Sequence, residues 1–508
     1  MSLQFIYGRA GSGKSFHCLT QIKSKIAEDN SKRLVLLVPE QYTYQAEHDL
    51  IKILETGGIL NTEVLSFRRM AYRVLNEVGG ITYPHIHPAG KCMLLFNILD
   101  KMKDDFAIFH RSAGSQGFVN TVSGLITELK RYNIGPGDLD NVLKSLEENS
   151  YLYKKISEIK LIYSKFEELL SARYRDPDDE LTLLAMKLDC TDMYNNAEIW
   201  IDGFSGFTPQ EFEVISKLMG KASMVYITMC TDVLEDENSD LSDVFFSAKR
   251  AYRKFMHIAR VNNINVLQPI KCCEKVLPRF KDSEELAILE KSYFAHPYMS
   301  YNKPTRDIEL FEAINIYTEI EECARDIIRQ CRDNGLRYKD IAVVTRNLAG
   351  YQELMESIFE EYEIPCFIDS KSEISNHPLI RLVLSMLEIF INNWSYESVF
   401  RYLKSGLLDY DNKMIDKIEN YVLACGIRGS KWTQNTDWTM TPELMPEDKL
   451  DSETEQLLYE VNETRKLICQ PLLRFREKTR GRRKAADFCT CIYDFLVEMD
   501  VPGKIERS

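Results

Sequence analysis

Residues 8–15 read GRAGSGKS, inside the opening MSLQFIYGRAGSGKSFHCLTQI. The octet fits the pattern G-x-x-x-x-G-K-[ST], and what surrounds it decides the fold. Leu3-Tyr7 (LQFIY) before it is an apolar run of strand type, and after it Leu19, Ile22 and Ile26 recur at helical spacing. Strand, glycine-rich turn and amphipathic helix are the context the pattern requires. The loop Gly8, Arg9, Ala10, Gly11, Ser12, Gly13, Lys14 and Ser15 is therefore the expected nucleotide-binding element. Its glycines let backbone N–H groups turn inward around a phosphate, and the helix N-terminus adds partial positive charge. Lys14 can reach the β- and γ-phosphates of ATP, and the Ser15 hydroxyl can ligate Mg²⁺.

Working outward, Arg33-Val38 (RLVLLV) and Thr62-Ser66 (TEVLS) are further apolar runs, the first stopped by Pro39 and the second followed by the helical FRRMAYRVL. Strands separated by helices predict a parallel sheet with right-handed crossovers. From about Pro88 to Leu188 the period is helical, and strands return at Ala197-Asp202 (AEIWID) and Met224-Met229 (MVYITM). A helical block inserted between strands of one sheet accounts for this. A second α/β section begins near Asp307, with strands expected at DIELFEAI (307–314), DIAVVTR (340–346) and IPCFID (364–369) and helices between them. From Pro378 onward the pattern is helical again.

At 508 residues, two to four domains are expected. Hydrophobic residues at 44% and charged residues at 28% describe a globular chain. The net charge of −13 offers no global attraction to nucleic acid, so any such contact must come from local basic surfaces. No apolar run reaches the roughly 18 residues of a membrane span, so no membrane association and a cytoplasmic location are expected. The 13 cysteines form no C-x-x-C pair and read as reduced thiols, the neighbours Cys272-Cys273 and Cys489-Thr490-Cys491 included.

An ATPase of this type needs a carboxylate at the end of a neighbouring strand to hold Mg²⁺. AEIWIDGFSGFTPQE supplies Asp202, with a plain strand-end turn residue before glycine as the lesser alternative. The next position, where helicases commonly carry the Glu that polarises the attacking water, is Gly203. Gln210 and Glu211 follow, and only unusual geometry would let them substitute. The catalytic residue is thus unassigned, and the site is expected to bind nucleotide and hydrolyse it poorly, if at all.

In order along the chain, IYGRAGSGKS, VPEQYTYQAE, VLSFRRMAYRVL, YRDPDDELTLLA, WIDGFSGFTPQE and YKDIAVVTRNLAGY resemble the AddB subunit of bacterial AddAB helicase–nucleases, over essentially the whole chain. Several look like worn versions of UvrD-type superfamily 1 helicase motifs. The resemblance implies an α/β fold of P-loop RecA-like parallel sheets with large all-helical insertions. It places the first RecA-like domain at 1–87 with 189–290 and a helical insertion at 88–188. The first part of a second RecA-like domain falls at 291–385, and a second helical insertion starts at 386–508. It implies ATP and Mg²⁺ as cofactors, an AddA-like partner subunit in a heterodimer, and single-stranded DNA and duplex ends as ligands. The family acts in DNA repair and recombination, and this half is associated there with recognition of the Chi sequence. Relatives are about twice this length. Their nuclease carboxylates and the four cysteines of a [4Fe–4S] cluster lie outside the matching half, so neither is assigned here and the isolated chain is expected to lack nuclease activity. The departures also matter. No adenine-reading glutamine segment precedes the P-loop, and MVYITMCTD lacks the expected G-D-x-x-Q.

Candidate DNA contacts follow from aromatic and basic residues. Tyr42, Tyr44, Phe67 and Tyr72, with Arg68, occupy places where helicases stack single-stranded bases, and the same aromatics serve equally well as packing residues. Arg474–Lys484 holds seven Lys or Arg against the single acid Glu477, with Arg480, Arg482 and Arg483 as candidate phosphate contacts or a solvated face. Trp432 in RGSKW can stack on a base or simply pack, as can Trp438. Arg346 reads as a strand cap or as a group approaching the nucleotide.

Two other functions compete. A small-molecule P-loop kinase would want an arginine-bearing lid and a compact single domain, which the long helical block and second α/β section argue against. A non-catalytic DNA-binding scaffold with a structural nucleotide overlaps the first reading.

Overall fold

The apolar runs become one central sheet. The computed structural model describes all residues except 29–31, 55–61, 81–82, 149, 236–240, 273–276, 370–373, 442–451, 482–483 and 508. In it, β1 (Ser2–Gly8) leads through the loop into α1 (Lys14–Glu28). Then come β2 (Leu34–Leu37), α2 (Thr43–Leu54), β3 (Thr62–Leu65) and α3 (Phe67–Val78). Ser66 turns the chain from β3 into α3 by accepting a hydrogen bond from the Arg69 amide at 3.2 Å, satisfying one orphan donor of the helix start.

Helices α4 (Pro88–Lys101), α5 (Gln116–Arg131), α6 (Asp138–Lys144), α7 (Tyr151–Ser171) and α8 (Glu180–Leu188) precede the next strand. Leu95, Ile98, Leu99, Ile126, Ile162 and Phe166 give α4, α5 and α7 a core of their own. An ionic knot pins it. Lys91 and Lys130 are buried, and both lie 3.0 Å from the buried Asp176, with Asp178 2.7 Å from Lys91 and Asp179 2.6 Å from Lys130. Charges taken out of water cost several kcal/mol each unless paired, so these contacts fix α4 and α5 against the 176–179 turn.

The sheet resumes with β4 (Glu198–Ile201), α9 (Pro209–Met219), β5 (Met224–Cys230), α10 (Phe246–Val261), the short β6 (Asn265–Val266) and β7 (Ile270–Lys271), and α11 (Glu284–Ser292). Strand order is β3-β2-β4-β5-β1-β6, with β7 also on β1, and every pairing is parallel. β2 and β4 are buried at all four positions, as expected when helices cover both faces. Alternate residues feed opposite cores. Leu3, Phe5, Val35, Leu37, Ile199 and Ile227 face one way, and Ile6, Leu34, Leu36, Trp200 and Tyr226 the other.

The chain forms two compact units, Met1–Phe311 and Glu312–Ser508. The second opens with α12 (Ile316–Asp333) and α13 (Leu348–Glu361), which share a small core of Ile320, Ala324, Ile327, Met355, Ile358 and Phe359. Here one expectation fails. The segments read as strands at 307–314, 340–346 and 364–369 enter no ladder among the described residues. The apolar composition is of strand type, but a strand persists only when a neighbour takes up its backbone groups. None does, and Val344 and Phe367 are 91% and 89% exposed. Ile341–Thr345 and Ile364–Ile368 instead flank an open groove of about 830 Å³ floored by Ile327, Met355 and Phe359.

Helices complete this unit: α14 (Pro378–Ile391), α15 (Tyr396–Leu403), α16 (Asn412–Ala424), α17 (Ser452–Thr479), α18 (Ala485–Glu498) and α19 (Val501–Arg507). They pack around Leu382, Met386, Tyr402, Tyr421, Ile468 and Leu472.

Candidate nucleotide site

The carboxyl ends of β1, β4 and β5 converge on a cleft of about 650 Å³. Its walls are Ala10, Gly11, Gly13, Lys14, Ser15 and Phe16 from the loop and α1, Asp202–Ser205 after β4, Thr228 and Cys230 of β5, and Pro278 and Arg279. A crevice beyond the strand ends is where open parallel sheets bind ligands. Gly11 has φ +80°, a left-handed value that glycine tolerates, and a Cβ there would lie 2.9 Å from that of Arg279. The amides of Gly13, Lys14 and Ser15 have no acceptor among the described residues, so three donors at the start of α1 point at the cleft with the helix dipole behind them. The Lys14 ammonium donates to the carbonyls of Gly8 and Arg9, both at 2.9 Å, which holds it over the loop. Arg9 points elsewhere, its Nε 2.8 Å from a Glu290 carboxylate oxygen.

Asp202 is buried at the end of β4, one strand away from β1. Its amide donates to the Leu37 carbonyl at 3.0 Å, and its Oδ1 accepts from the Thr228 hydroxyl of β5 at 2.7 Å. The β5 strand between them thus orients the carboxylate toward the cleft that Ser15 also lines. Among the described residues no three His, Cys, Asp or Glu side chains cluster as a ready-made metal site. That suits Mg²⁺ brought with a nucleotide, which keeps several waters and phosphate oxygens and takes only one or two protein oxygens. Ser15 and Asp202 fit that role.

Among the described residues nothing replaces the missing water-activating Glu. Gln210 is buried and donates to the Asp178 carbonyl at 2.9 Å and the Thr182 hydroxyl at 3.0 Å. Glu211 closes a capping box at the start of α9, accepting from the Thr208 amide at 2.7 Å while its own amide donates to the Thr208 hydroxyl. Both are committed to holding the fold. Asp202 is the one acidic residue on the cleft wall among the described residues.

Sequence reasoning missed Arg279. It sits in a turn, Pro278–Phe280, whose Arg279 amide donates to the Gly11 carbonyl at 3.3 Å. No motif marks it. Only the return of the chain to β1 through β6 and β7 brings a second cation to the phosphate loop.

The aromatic DNA candidates divide between the packing and the stacking readings given to them. Phe67 is buried in the sheet core against Phe204, ring centroids 5.5 Å apart, and offers no face to a base. Trp432 is 1% exposed, packed among Trp394, Phe400 and Trp438. Trp438 is buried beside it. Tyr42 is half-buried against the Leu36–Trp200 core, and burial with Asp49 and Asp202 nearby holds its hydroxyl above its ordinary pKa. Tyr44 and Tyr72 are exposed. Arg68 is also exposed, 3.8 Å from Glu180, in a groove along the β3 edge. That groove carries Glu40, Glu47, Glu63 and Glu180 against Arg68, Arg69 and Arg73, so its net charge is one negative. Arg69 is paired to Glu47 at 2.8 Å and Arg73 to Glu63 at 2.5 Å. In the basic run, Arg474 pairs with Glu498 and Arg480 is exposed, whereas Arg482 and Arg483 lie outside the described residues. Arg346 is exposed in the second unit.

A parallel α/β sheet with a glycine-rich loop after β1 and Asp202 after β4, one strand apart, is the architecture of a P-loop protein. Residues 268–466 match the UvrD-like helicase C-terminal domain. Residues 5–290 match the family described as ADDB, N-terminal, and the chain belongs to it. The B subunit of the ATP-dependent helicase/deoxyribonuclease of Ruminiclostridium cellulolyticum is 63% identical over 508 residues, which cover all of this chain and 44% of that protein. The proteins of the same name from Acetivibrio thermocellus and Clostridium botulinum (strain Loch Maree / Type A3) are 57% and 46% identical, with the same 44% covered. The chain thus spans less than half the length of these curated relatives.

Proposed function

We propose that this chain is the helicase-like half of an AddB subunit, in an ATP-dependent helicase/deoxyribonuclease that processes double-strand DNA ends for recombinational repair. It binds ATP with Mg²⁺ at Gly8–Ser15 and Asp202, hydrolyses it weakly, and leaves translocation to an AddA-like partner in a cytoplasmic heterodimer. Single-stranded DNA passes over this half, where Chi is read. Nuclease and [4Fe–4S] chemistry belong to polypeptide other than residues 1–508.

One observation carries the reading. The cleft combines a phosphate loop and a buried, oriented Asp202 with no second carboxylate on its wall among the described residues. Positioned general bases contribute about 10²–10⁴-fold, so turnover is expected that far below the ordinary range of about 1–10³ s⁻¹. The chemistry left to the chain's own residues is binding: amides and Lys14 hold the phosphates, Ser15 and Asp202 the metal. With Phe67 and Trp432 buried, the exposed Tyr44, Tyr72, Arg68 and Arg480 are the DNA contacts we favour among the described residues, Arg68 and Tyr72 within the β3 groove.

The test is Mg-ATP binding and turnover, with and without single-stranded DNA, in wild-type chain and Lys14→Ala. Binding that Lys14→Ala abolishes, with negligible and DNA-independent turnover, supports the reading. DNA-stimulated turnover in the isolated chain sinks it, and transfer of phosphate to a small molecule would favour a kinase instead.

A further inference from the structure

Among the described residues the cleft is rich in groups for phosphates and poor in side chains for a base. Of its hydrogen-bonding side chains, Lys14 and Ser15 serve the phosphate end, and Thr228 is spent on Asp202. Ser205 follows Asp202 on the metal side, Cys230 is a weak partner, and Arg279 only donates. Adenine presents both a donor, its exocyclic amine, and ring-nitrogen acceptors, so reading it takes a side-chain amide or a matched acceptor and donor. Among the described residues no Asn or Gln lines the cleft.

What the cleft does offer a base is a ring. Phe16, the residue after Ser15, lines it in the first turn of α1 and is 67% exposed. Pro278 lines the same cleft, its Cγ 3.8 Å from where a Cβ on Gly13 would be. Pro278 is held there by the Arg279 amide on Gly11. The third ring on the wall, Phe204, is already engaged, edge-on to Phe67 and stacked on Phe207. With phosphates on the α1 amides and the metal toward Asp202, the nucleoside leaves the loop on the side of Phe16 and Pro278.

We propose that this site grips a nucleoside triphosphate by its phosphates and by the face of its base, stacked on Phe16, and does not read the base edge. It therefore accepts purine triphosphates alike, with pyrimidines weaker because their rings stack over less area. Stacking tolerates any base, whereas discrimination by orders of magnitude requires polar groups that a wrong ligand would leave unpaired. This rests on the cleft being a nucleotide site at all.

Titration calorimetry of the chain with Mg-ATP, Mg-GTP, Mg-CTP and Mg-tripolyphosphate tests both. ATP and GTP are expected within about threefold of each other and CTP up to about tenfold weaker, on the scale of stacking differences. Phe16→Ala is expected to weaken all three nucleotides about tenfold and leave tripolyphosphate unchanged. Phe16 is exposed, so the variant folds, and Phe16→Tyr should restore affinity. ATP bound more than about thirtyfold tighter than GTP, or nucleotide affinities indifferent to Phe16→Ala, overturns the inference while leaving the phosphate site standing. Failure of tripolyphosphate and every nucleotide to bind overturns the site itself.

Discussion

Replacing Gly203 by Glu would put back, in sequence, the residue that helicases use to polarise water. It should nonetheless cost stability and restore nothing. Gly203 has φ +83°, and an L-residue in that region loses about 1–2 kcal/mol to the contact between Cβ and its own carbonyl. The added Cβ would lie 3.4 Å from Pro39 Cδ and 4.0 Å from Tyr42 Cδ1. Those are ordinary contacts, so the backbone term dominates. They also fix direction. Pro39 follows β2, which flanks β4 on the side opposite β5 and β1, so a side chain at 203 departs away from the phosphate loop. The expected loss lowers the melting temperature of the first unit by about 2–8 °C, at roughly 2–4 °C per kcal/mol. Calorimetric melting and a coupled ATPase assay on wild type, Gly203→Ala and Gly203→Glu separate the terms. Both variants should melt lower by similar amounts, with turnover unchanged. A Gly203→Glu chain that melts normally and gains about 10²-fold or more in turnover would refute this geometry.

Two further outcomes are expected. Asp176→Asn should destabilise by about 1.5–3 kcal/mol, because Lys91 and Lys130 lose a shared counter-charge while keeping Asp178 and Asp179. A urea midpoint unchanged near neutral pH would refute this. Burial alone would raise the Asp176 pKa, but Lys130 and Lys91 more than offset it and hold the carboxyl below its ordinary value of 3.8. The folded state then binds fewer protons than the unfolded, so this contribution is full above that value and is lost as pH falls through the lower folded one. The acid limb of the stability profile should accordingly flatten in the Asn variant. Trp432→Ala should cost about 3–5 kcal/mol in the second unit by opening its aromatic core. A selective loss of DNA affinity at unchanged stability would reinstate Trp432 as a base-stacking residue.

The sequence was most legible where structure is local. GRAGSGKS carries its own strand, turn and helix, and RLVLLV or AEIWID can only be buried strands once helices flank them. The S/T-x-x-E spacing of Thr208 and Glu211 is a helix-start signal, and the structure uses it as one. Legibility ended where partners are distant. RGSKWTQNTDW looks polar and loop-like, yet Trp432 is buried by Trp394 and Phe400, which earlier segments supply. Phe67 follows a helix cap and reads as a base-stacking or a packing residue until Phe204 closes over it. Arg279 reaches the cleft only because β6 and β7 return to β1. DIAVVTR has the composition of a strand, but composition does not supply the neighbour.

In solution that unpaired run is a liability. Among the described residues the amides of Ala342, Val343 and Val344 have no backbone acceptor, a template on which another polypeptide can add a strand, and no proline or charge blunts the run at 341–344. Crowding, more than heat, should therefore limit the working life of a chain of residues 1–508, which would stay dispersed when dilute and self-associate through this stretch when concentrated. A single lysine at Val344 would act as a gatekeeper there without touching the nucleotide cleft.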